Sequence, residues 1–275
     1  MDRPRGGIDL NTEGKEVRRV RALFISDVHL GMRPTRIAQF IDFLRSHDAE
    51  TIYLVGDILD GWRLSKTWFW PAQYNELVQI FLDKAAAGTK IVYLPGNHDE
   101  FLREYLGTYF GDVEFIDRTV HTTAQGKTYL VIHGDQFDVV VAHAKWLAYV
   151  GDWAYRLALR VNILINWVRR RLGLQYWSLS AWAKNKVKNA VSVIGRFEEA
   201  LSLEARQSGV DGIICGHIHH ADMHNRLGIH YINTGDWVES CTAVAEEFDG
   251  QFELIKWTEM AVPEPRKPLL RRVKS

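Results

Sequence analysis

One unit recurs along this chain and constrains it more than anything else: a short apolar run that ends on glycine, histidine, aspartate or asparagine. Arg21 to Ser26 leads into Asp27-Val28-His29, and Thr51 to Val55 leads into Gly56-Asp57-Ile58-Leu59-Asp60. Lys90 to Leu94 leads into Pro95-Gly96-Asn97-His98-Asp99, Thr128 to Ile132 into His133-Gly134-Asp135, and Gly212 to Cys215 into Gly216-His217-Ile218-His219. Short apolar runs bounded by turn residues read as strands buried on both faces. Between the first three lie helical patterns, Thr35 to His47 with Ile37, Phe40, Ile41 and Leu44 on one face, and Ala72 to Ala87 with Leu77, Ile80, Phe81 and Ala85. Alternating strands and helices predict an α/β architecture. After His219 the texture changes to strand-like runs at Ile229 to Ile232, Thr242 to Ala245 and Gln251 to Ile255, which predict a sheet.

Composition sets the outer limits. In 275 residues, 34 lysines and arginines balance 34 aspartates and glutamates, so overall charge argues neither for nor against nucleic acid and any charged partner is recognised by a local patch. Two cysteines, Cys215 and Cys241, are too few for a disulfide framework or a cysteine-rich zinc site. Residues 1–20 read as a polar leader without the apolar core of a secretory signal, and no apolar stretch reaches bilayer-spanning length. A cytoplasmic protein is expected.

The stretch 139–206 interrupts the series of strand units. It lacks proline, has a helical pattern, and holds Trp146, Trp153, Trp167, Trp177 and Trp182 among many arginines and lysines. It reads as a helical insertion dividing a core of 21–138 and 207–260, with a basic tail at 261–275. Tryptophan and leucine faces beside clustered cations have the composition of an interfacial helix. Lys184, Lys186 and Lys188 are candidate substrate contacts there, a solvated basic face being the bland alternative.

The strand ends collect hard oxygen donors and imidazoles: Asp27, His29, Asp57, Asn97, His133, His217 and His219. Such a set suits manganese, iron or zinc, and seven donors suffice for two ions. A single Asp-x-His or Gly-Asp is mostly turn chemistry; five such motifs in order are not. Asp60, Asp135, Asp138 and His220 are weaker candidates for the same site, for which turn residues or supports for the donors are at least as good a reading. His121, His143, His224 and His230 read as ordinary histidines, and Cys215 as a small buried strand residue.

The order of these motifs, from about Ala22 to Asp236, resembles the calcineurin-like binuclear metallophosphoesterases. That resemblance implies a four-layer α/β/β/α sandwich with an inserted helical lid. It implies one metal on Asp27, His29 and His219, a second on Asn97, His133 and His217, and Asp57 as the bridge. His98 takes the family's phosphate-contacting or proton-donating place, with Asp57 and Asn97 also counted in the catalytic set and Asp99 expected to orient His98. The ions expected are two divalent cations, manganese first, iron or zinc as alternatives.

Within the superfamily the chain is most similar to the UDP-2,3-diacylglucosamine diphosphatases of lipid A synthesis and their paralogues. Ser26-Asp27-Val28-His29-Leu30-Gly31, Gly56-Asp57-Ile58-Leu59-Asp60-Gly61-Trp62 and His133-Gly134-Asp135-Gln136-Phe137-Asp138 carry the likeness, together with the insertion. It implies hydrolysis of a lipid-linked nucleotide sugar to UMP and 2,3-diacylglucosamine 1-phosphate, so the partner expected is that phosphorylated substrate, with no nucleic acid. Lys184, Lys188 and Asp138 would contact the substrate, and the lid would touch the cytoplasmic face of the inner membrane. Two features depart from the group: it carries arginine where this chain has His98, and Trp62 to Trp70 is unlike its acidic loop. A paralogue cleaving another lipid-linked or nucleotide phosphoester is therefore the alternative, and a scaffold that only binds is a third reading, against which all seven donor positions are filled. The oligomeric state stays open.

Overall fold

The computed structural model describes residues 9–10, 16–33, 36–137 and 180–257. The first sheet is built around β2 (Glu16–Ile25), β3 (His47–Val55) and β4 (Lys90–Leu94), which run parallel in adjacent positions. On one side of them lie β6 (Val113–Phe115) and β5 (Tyr109–Phe110), and on the other β12 (Thr242–Glu246) and β13 (Phe252–Lys256). A short β1 (Asp9–Leu10) pairs antiparallel with β2. The second sheet has the order β10 (Asp222–Arg226), β11 (Ile229–Asn233), β9 (Gly212–Cys215), β8 (Thr128–Val131), β7 (Thr119–Thr122), with β8, β9 and β11 parallel.

Alternation along the strands fixes the layers. On β2, Leu23 and Ile25 point to one core while Ala22 and Phe24 point to another. The second of these lies between the sheets, where Phe24 and Tyr53 stack at 4.8 Å and meet Tyr129, Val131 and Ile214 of the opposite sheet. The outer face of the first sheet is covered by α1 (Ile37–Ser46), through Ile37, Phe40, Ile41 and Leu44, and by α3 (Ala72–Ala86), through Tyr74, Leu77 and Ala85; α2 (Gly61–Leu64) is a single turn between them. The outer face of the second sheet is covered by α4 (Ser180–Gln207), through Phe197, Leu201 and Ala205. The four-layer α/β/β/α sandwich is thus present.

Two expected boundaries move. The first sheet begins at Glu16, inside the stretch read as a polar leader, because Val17 and Val20 are buried while Arg18 reaches Glu247 and Glu253. A strand whose outward residues are charged and paired across the sheet looks like a solvated leader in sequence. The C-terminal part of the expected lid is also core. Phe197, Leu201 and Ala205, four residues apart and fully buried, lie against β8, β9 and β11, and each large side chain so buried is worth about 2 kcal/mol. Residues 139–179, Asp138 and the tail 261–275 lie outside the described residues, as do the side chains of Lys184, Lys186 and Lys188 on α4.

Candidate metal centre

All five strand ends open on the same edge of the sandwich. Asp27 N–H donates to Gly56 O (3.0 Å) and His29 N–H to Asp57 O (2.9 Å), lacing the loops after β2 and β3 together. Asp99 ties in the loop after β4: one carboxylate oxygen accepts from Ile58 N and Leu59 N and from the Tyr93 hydroxyl, the other from Gly96 N. From the second sheet, His217 N–H donates to Asp27 Oδ2 (2.9 Å) and Gly216 N–H to His133 O (3.2 Å).

The backbone at this edge is strained. Asp27, His29, Asp57, His217 and His219 all have φ between 52° and 71°, and among the described residues only Leu227 and Cys241 join them outside glycine. Such a conformation costs a non-glycine residue about 1–2 kcal/mol and concentrates at functional sites. Space is equally tight. A Cβ on Gly96 would lie 2.2 Å from Asp57 Oδ1 and 2.6 Å from His133 Nε2, and one on Gly216 would lie 2.5 Å from Asp27 Oδ2. Glycine is required at both places for the side chains to converge.

The side chains converge without satisfying one another. Asp27, His29 and His219 form one group whose donor atoms lie within 4.8 Å of each other; Asp57, His133 and His217 form a second. His219 Nε2 stands 3.1 Å from Asp27 Oδ1 and 3.2 Å from His29 Nε2. Atoms each about 2.1 Å from a shared ion fall roughly 3.0–3.4 Å apart at octahedral to tetrahedral angles, so these two spacings fit ligands of one cation, while the third, 3.8 Å between His29 Nε2 and Asp27 Oδ1, is wider. Asp57 lies between the groups, with Oδ2 3.5 Å from His133 Nε2 and 3.8 Å from His29 Nε2. Asp27 Oδ1, His29 Nδ1, Asn97 Oδ1 and His133 Nε2 are buried with no hydrogen-bond partner among the described residues. Orphaned buried polar atoms are costly, and two of these, Asp27 Oδ1 and His133 Nε2, face the converging groups as ligands of divalent ions would.

The electrostatics point the same way. His133 donates through Nδ1 to Val55 O (2.8 Å), which leaves Nε2 as the lone-pair nitrogen. Burial would lower its pKa, but Asp57, Asp27 and Asp135 outweigh burial and push it up to about 10. Burial would likewise raise Asp27 and Asp57, yet the imidazoles of His219, His29 and His133 hold Asp27 well below the usual carboxylate range, and His133 leads in lowering Asp57. The site attracts positive charge.

His98 sits at the rim of this cluster. Its N–H donates to Asp57 Oδ1 (2.8 Å), its ring meets the edge of His29 at 4.5 Å, and its Nδ1 lies 3.2 Å from Asp60 Oδ1. Asp60, and not Asp99, therefore orients His98. Asp99 is consumed by four donors that hold the two loops, whereas Asp60 caps α2 through Arg63 N–H with the same oxygen that faces His98. The Gly-Asp-x-x-Asp spacing in the sequence already carried the signal for Asp60. Trp62 closes over His98 with ring centroids 4.2 Å apart.

Other candidates fall elsewhere. Asp135 pairs with Arg103 at 2.7 Å. His224 faces Asp222 through Nδ1 and Glu198 through Nε2, and Arg226 also approaches Glu198. Glu198, Asp222 and His224 also offer donor atoms within 4.8 Å of one another, but the Arg226 guanidinium already faces the Glu198 carboxylate at 3.4 Å. Cys215 is buried, and burial pushes its thiol up to about 12, as suits a core residue. Among the described residues no helix is long and apolar enough to cross a membrane.

Comparison with known proteins agrees with this architecture. A protein named UDP-2,3-diacylglucosamine hydrolase from Aliivibrio fischeri (strain MJ11) is 26% identical over 232 residues, covering 78% of this chain and 90% of its own. Proteins of the same name from Haemophilus influenzae (strain PittGG) and Pseudomonas paraeruginosa (strain DSM 24068 / PA7) are each 28% identical, over 245 and 221 residues. They cover 85% and 74% of this chain and 98% and 83% of their own lengths. The pattern of the calcineurin-like phosphoesterases matches residues 20–221, which contain every strand end described above, and the chain is a metal-dependent hydrolase of that family.

Proposed function

We propose that the strand ends hold two divalent cations, one on Asp27, His29 and His219 and one on Asn97, His133 and His217, with Asp57 shared between them. The observation that carries this is the convergence of two groups of donors from the strand ends, in which Asp27 Oδ1 and His133 Nε2 are buried without a hydrogen-bond partner among the described residues. Such a pair of ions, manganese in the first instance, supplies an activated water and neutralises charge on a phosphoryl group.

The substrate reading is UDP-2,3-diacylglucosamine, supported by the names of the relatives. Water adds to the uridine-linked phosphorus and the bond to the oxygen between the two phosphorus atoms breaks. UMP leaves on one side and 2,3-diacylglucosamine 1-phosphate on the other. His98 is the residue placed to serve the phosphate. The contact of His98 Nδ1 with Asp60 Oδ1 fixes the ring and leaves Nε2 for a phosphate oxygen or the departing oxygen. A cavity of ≈ 520 Å³ between α4 and β10, lined in part by Arg196, Arg226 and His220, has room for a sugar-sized group. In this reading the enzyme works at the cytoplasmic face of the membrane, with Lys184, Lys188 and Asp138 toward the lipid substrate.

A second reading rests on His98 itself. Histidine at this position is the general superfamily form, and it is fully supported here by Asp60 and Trp62, which favours a paralogue cleaving another lipid-linked or nucleotide phosphoester. One assay separates the two: manganese-dependent hydrolysis of UDP-2,3-diacylglucosamine in detergent, products identified by mass. UMP with diacylglucosamine 1-phosphate supports the first reading. No turnover, beside metal-dependent cleavage of bis(p-nitrophenyl) phosphate, supports the second.

A further inference from the structure

The loop that leaves the metal centre after Asp60 is unusual in composition and exposure. Gly61 to Pro71 reads Gly-Trp-Arg-Leu-Ser-Lys-Thr-Trp-Phe-Trp-Pro, and no acidic residue occurs from Gly61 to Asn75. Trp68, 73% exposed, is the most exposed large apolar side chain among the described residues, and Trp62 is 46% exposed. Trp68 is braced by Trp70, stacked at 5.7 Å and 19°, and Trp70 in turn meets Tyr74 of α3 edge-on at 5.2 Å. The loop lies on the Gly31–Arg33 segment, where Leu64 covers Gly31 and the Arg33 guanidinium sits 3.7 Å over the Phe69 ring. Arg33, Arg36, Arg63 and Lys66 are all exposed, and Val28 to Arg36 contains no acid either.

The exposure of Trp68 is not explained by packing, since Trp70 is the one that meets Tyr74 and the core. Exposed indoles on a loop that also carries exposed cations have the chemistry of the bilayer interface, where tryptophan settles at headgroup depth and lysine or arginine meets anionic phosphate. A groove for a folded protein partner would present a concave apolar floor; here the aromatic group projects from a loop whose own charged side chains, Arg63 and Lys66, are cationic, the acids that reach it being Glu100 at the Trp62 indole and Asp60 at Arg63. We infer that the Gly61–Trp70 loop docks the protein on an anionic phospholipid surface. Because Trp62 rests on His98, docking there brings the mouth of the metal centre to the bilayer. The inference rests on the loop alone and requires neither substrate reading nor the segment 139–179.

The test uses the full chain and extruded vesicles, without substrate, so that its outcome is separate from that of the hydrolysis assay. Wild-type protein should co-sediment with phosphatidylglycerol/phosphatidylethanolamine vesicles and far less with phosphatidylcholine, the difference shrinking in high salt. Removing one cation should weaken the partition about fivefold, and the pair Lys66→Ala with Trp68→Ala at least about tenfold. Hydrolysis of bis(p-nitrophenyl) phosphate should be unchanged, since neither side chain touches the centre. A direct readout places an environment-sensitive fluorophore on Thr67→Cys, the native Cys215 and Cys241 being buried. Its emission should shift to the blue on anionic vesicles. No vesicle binding by the wild type, undiminished binding by the double variant, or a label that stays in water while the protein is vesicle-bound would each overturn the inference, the last two assigning docking to another surface.

Discussion

Two buried polar clusters lie between the sheets of this protein, and they are built on opposite terms. In the one away from the strand ends, Glu246 on β12 accepts two hydrogen bonds from Arg21, one from Ala124 N–H, and meets His121 Nε2 at 2.7 Å; His121 Nδ1 reaches the Tyr53 hydroxyl at 3.2 Å. Every charge there has a partner inside the protein. At the strand ends, Asp27 Oδ1, His29 Nδ1, Asn97 Oδ1 and His133 Nε2 have none among the described residues, and the backbone that presents them is held at positive φ. The first cluster stabilises the sandwich. The second costs stability and makes sense only as a place for ions that the protein itself does not supply.

The contrast can be broken from either side. Asp57→Asn keeps an oxygen for His98 N–H but removes the charge between the two groups, and manganese-dependent hydrolysis should fall by about a thousandfold with the fold intact by circular dichroism. Glu246→Ala should do the reverse. Stability in urea should drop by about 2–3 kcal/mol, the figure discounted because Arg21 is partly exposed, while activity per folded molecule stays near wild type. Gly96→Ala should lower activity about a hundredfold, because the new methyl has no room beside Asp57 and His133, and metal affinity should weaken with it.

The smallest effect concerns pH. Burial, the largest influence on His121, lowers its pKa despite Glu246, so it is neutral in the folded protein where the unfolded chain already binds a proton. Stability should therefore fall as pH drops below about 6.5, the ordinary histidine value. His47, which burial lowers to about 4, adds slope of the same sign. In urea melts at several pH values, His121→Gln should flatten the dependence and leave the part due to His47. An unchanged slope would show that His121 does not titrate with unfolding.

How much of this was legible beforehand follows from range. The strands ending at Val55, Leu94 and Cys215 and the donors after them are local features, an apolar run followed by a turn residue, and they stand where the sequence puts them. The Glu246 cluster was illegible, since His121 read as an ordinary histidine and its partners are distant in sequence, 125 residues away for Glu246. The role of Asp99 was misread for the same reason: adjacency to His98 suggested a partner, but the turn aims Asp99 back at Ile58 and Leu59. Phe197 to Ala205 looked like part of an insertion because periodicity reveals that a helix has an apolar face and not which sheet that face meets.

The central claim is that the unsatisfied cluster is a two-ion site with Asp57 shared between its halves. Metal content after manganese loading and exhaustive desalting, measured on the wild type and on Asp57→Asn, addresses it most directly. The account predicts about two ions per chain in the wild type and one or fewer in the variant. A trace in the wild type, or two ions in both proteins, would contradict it.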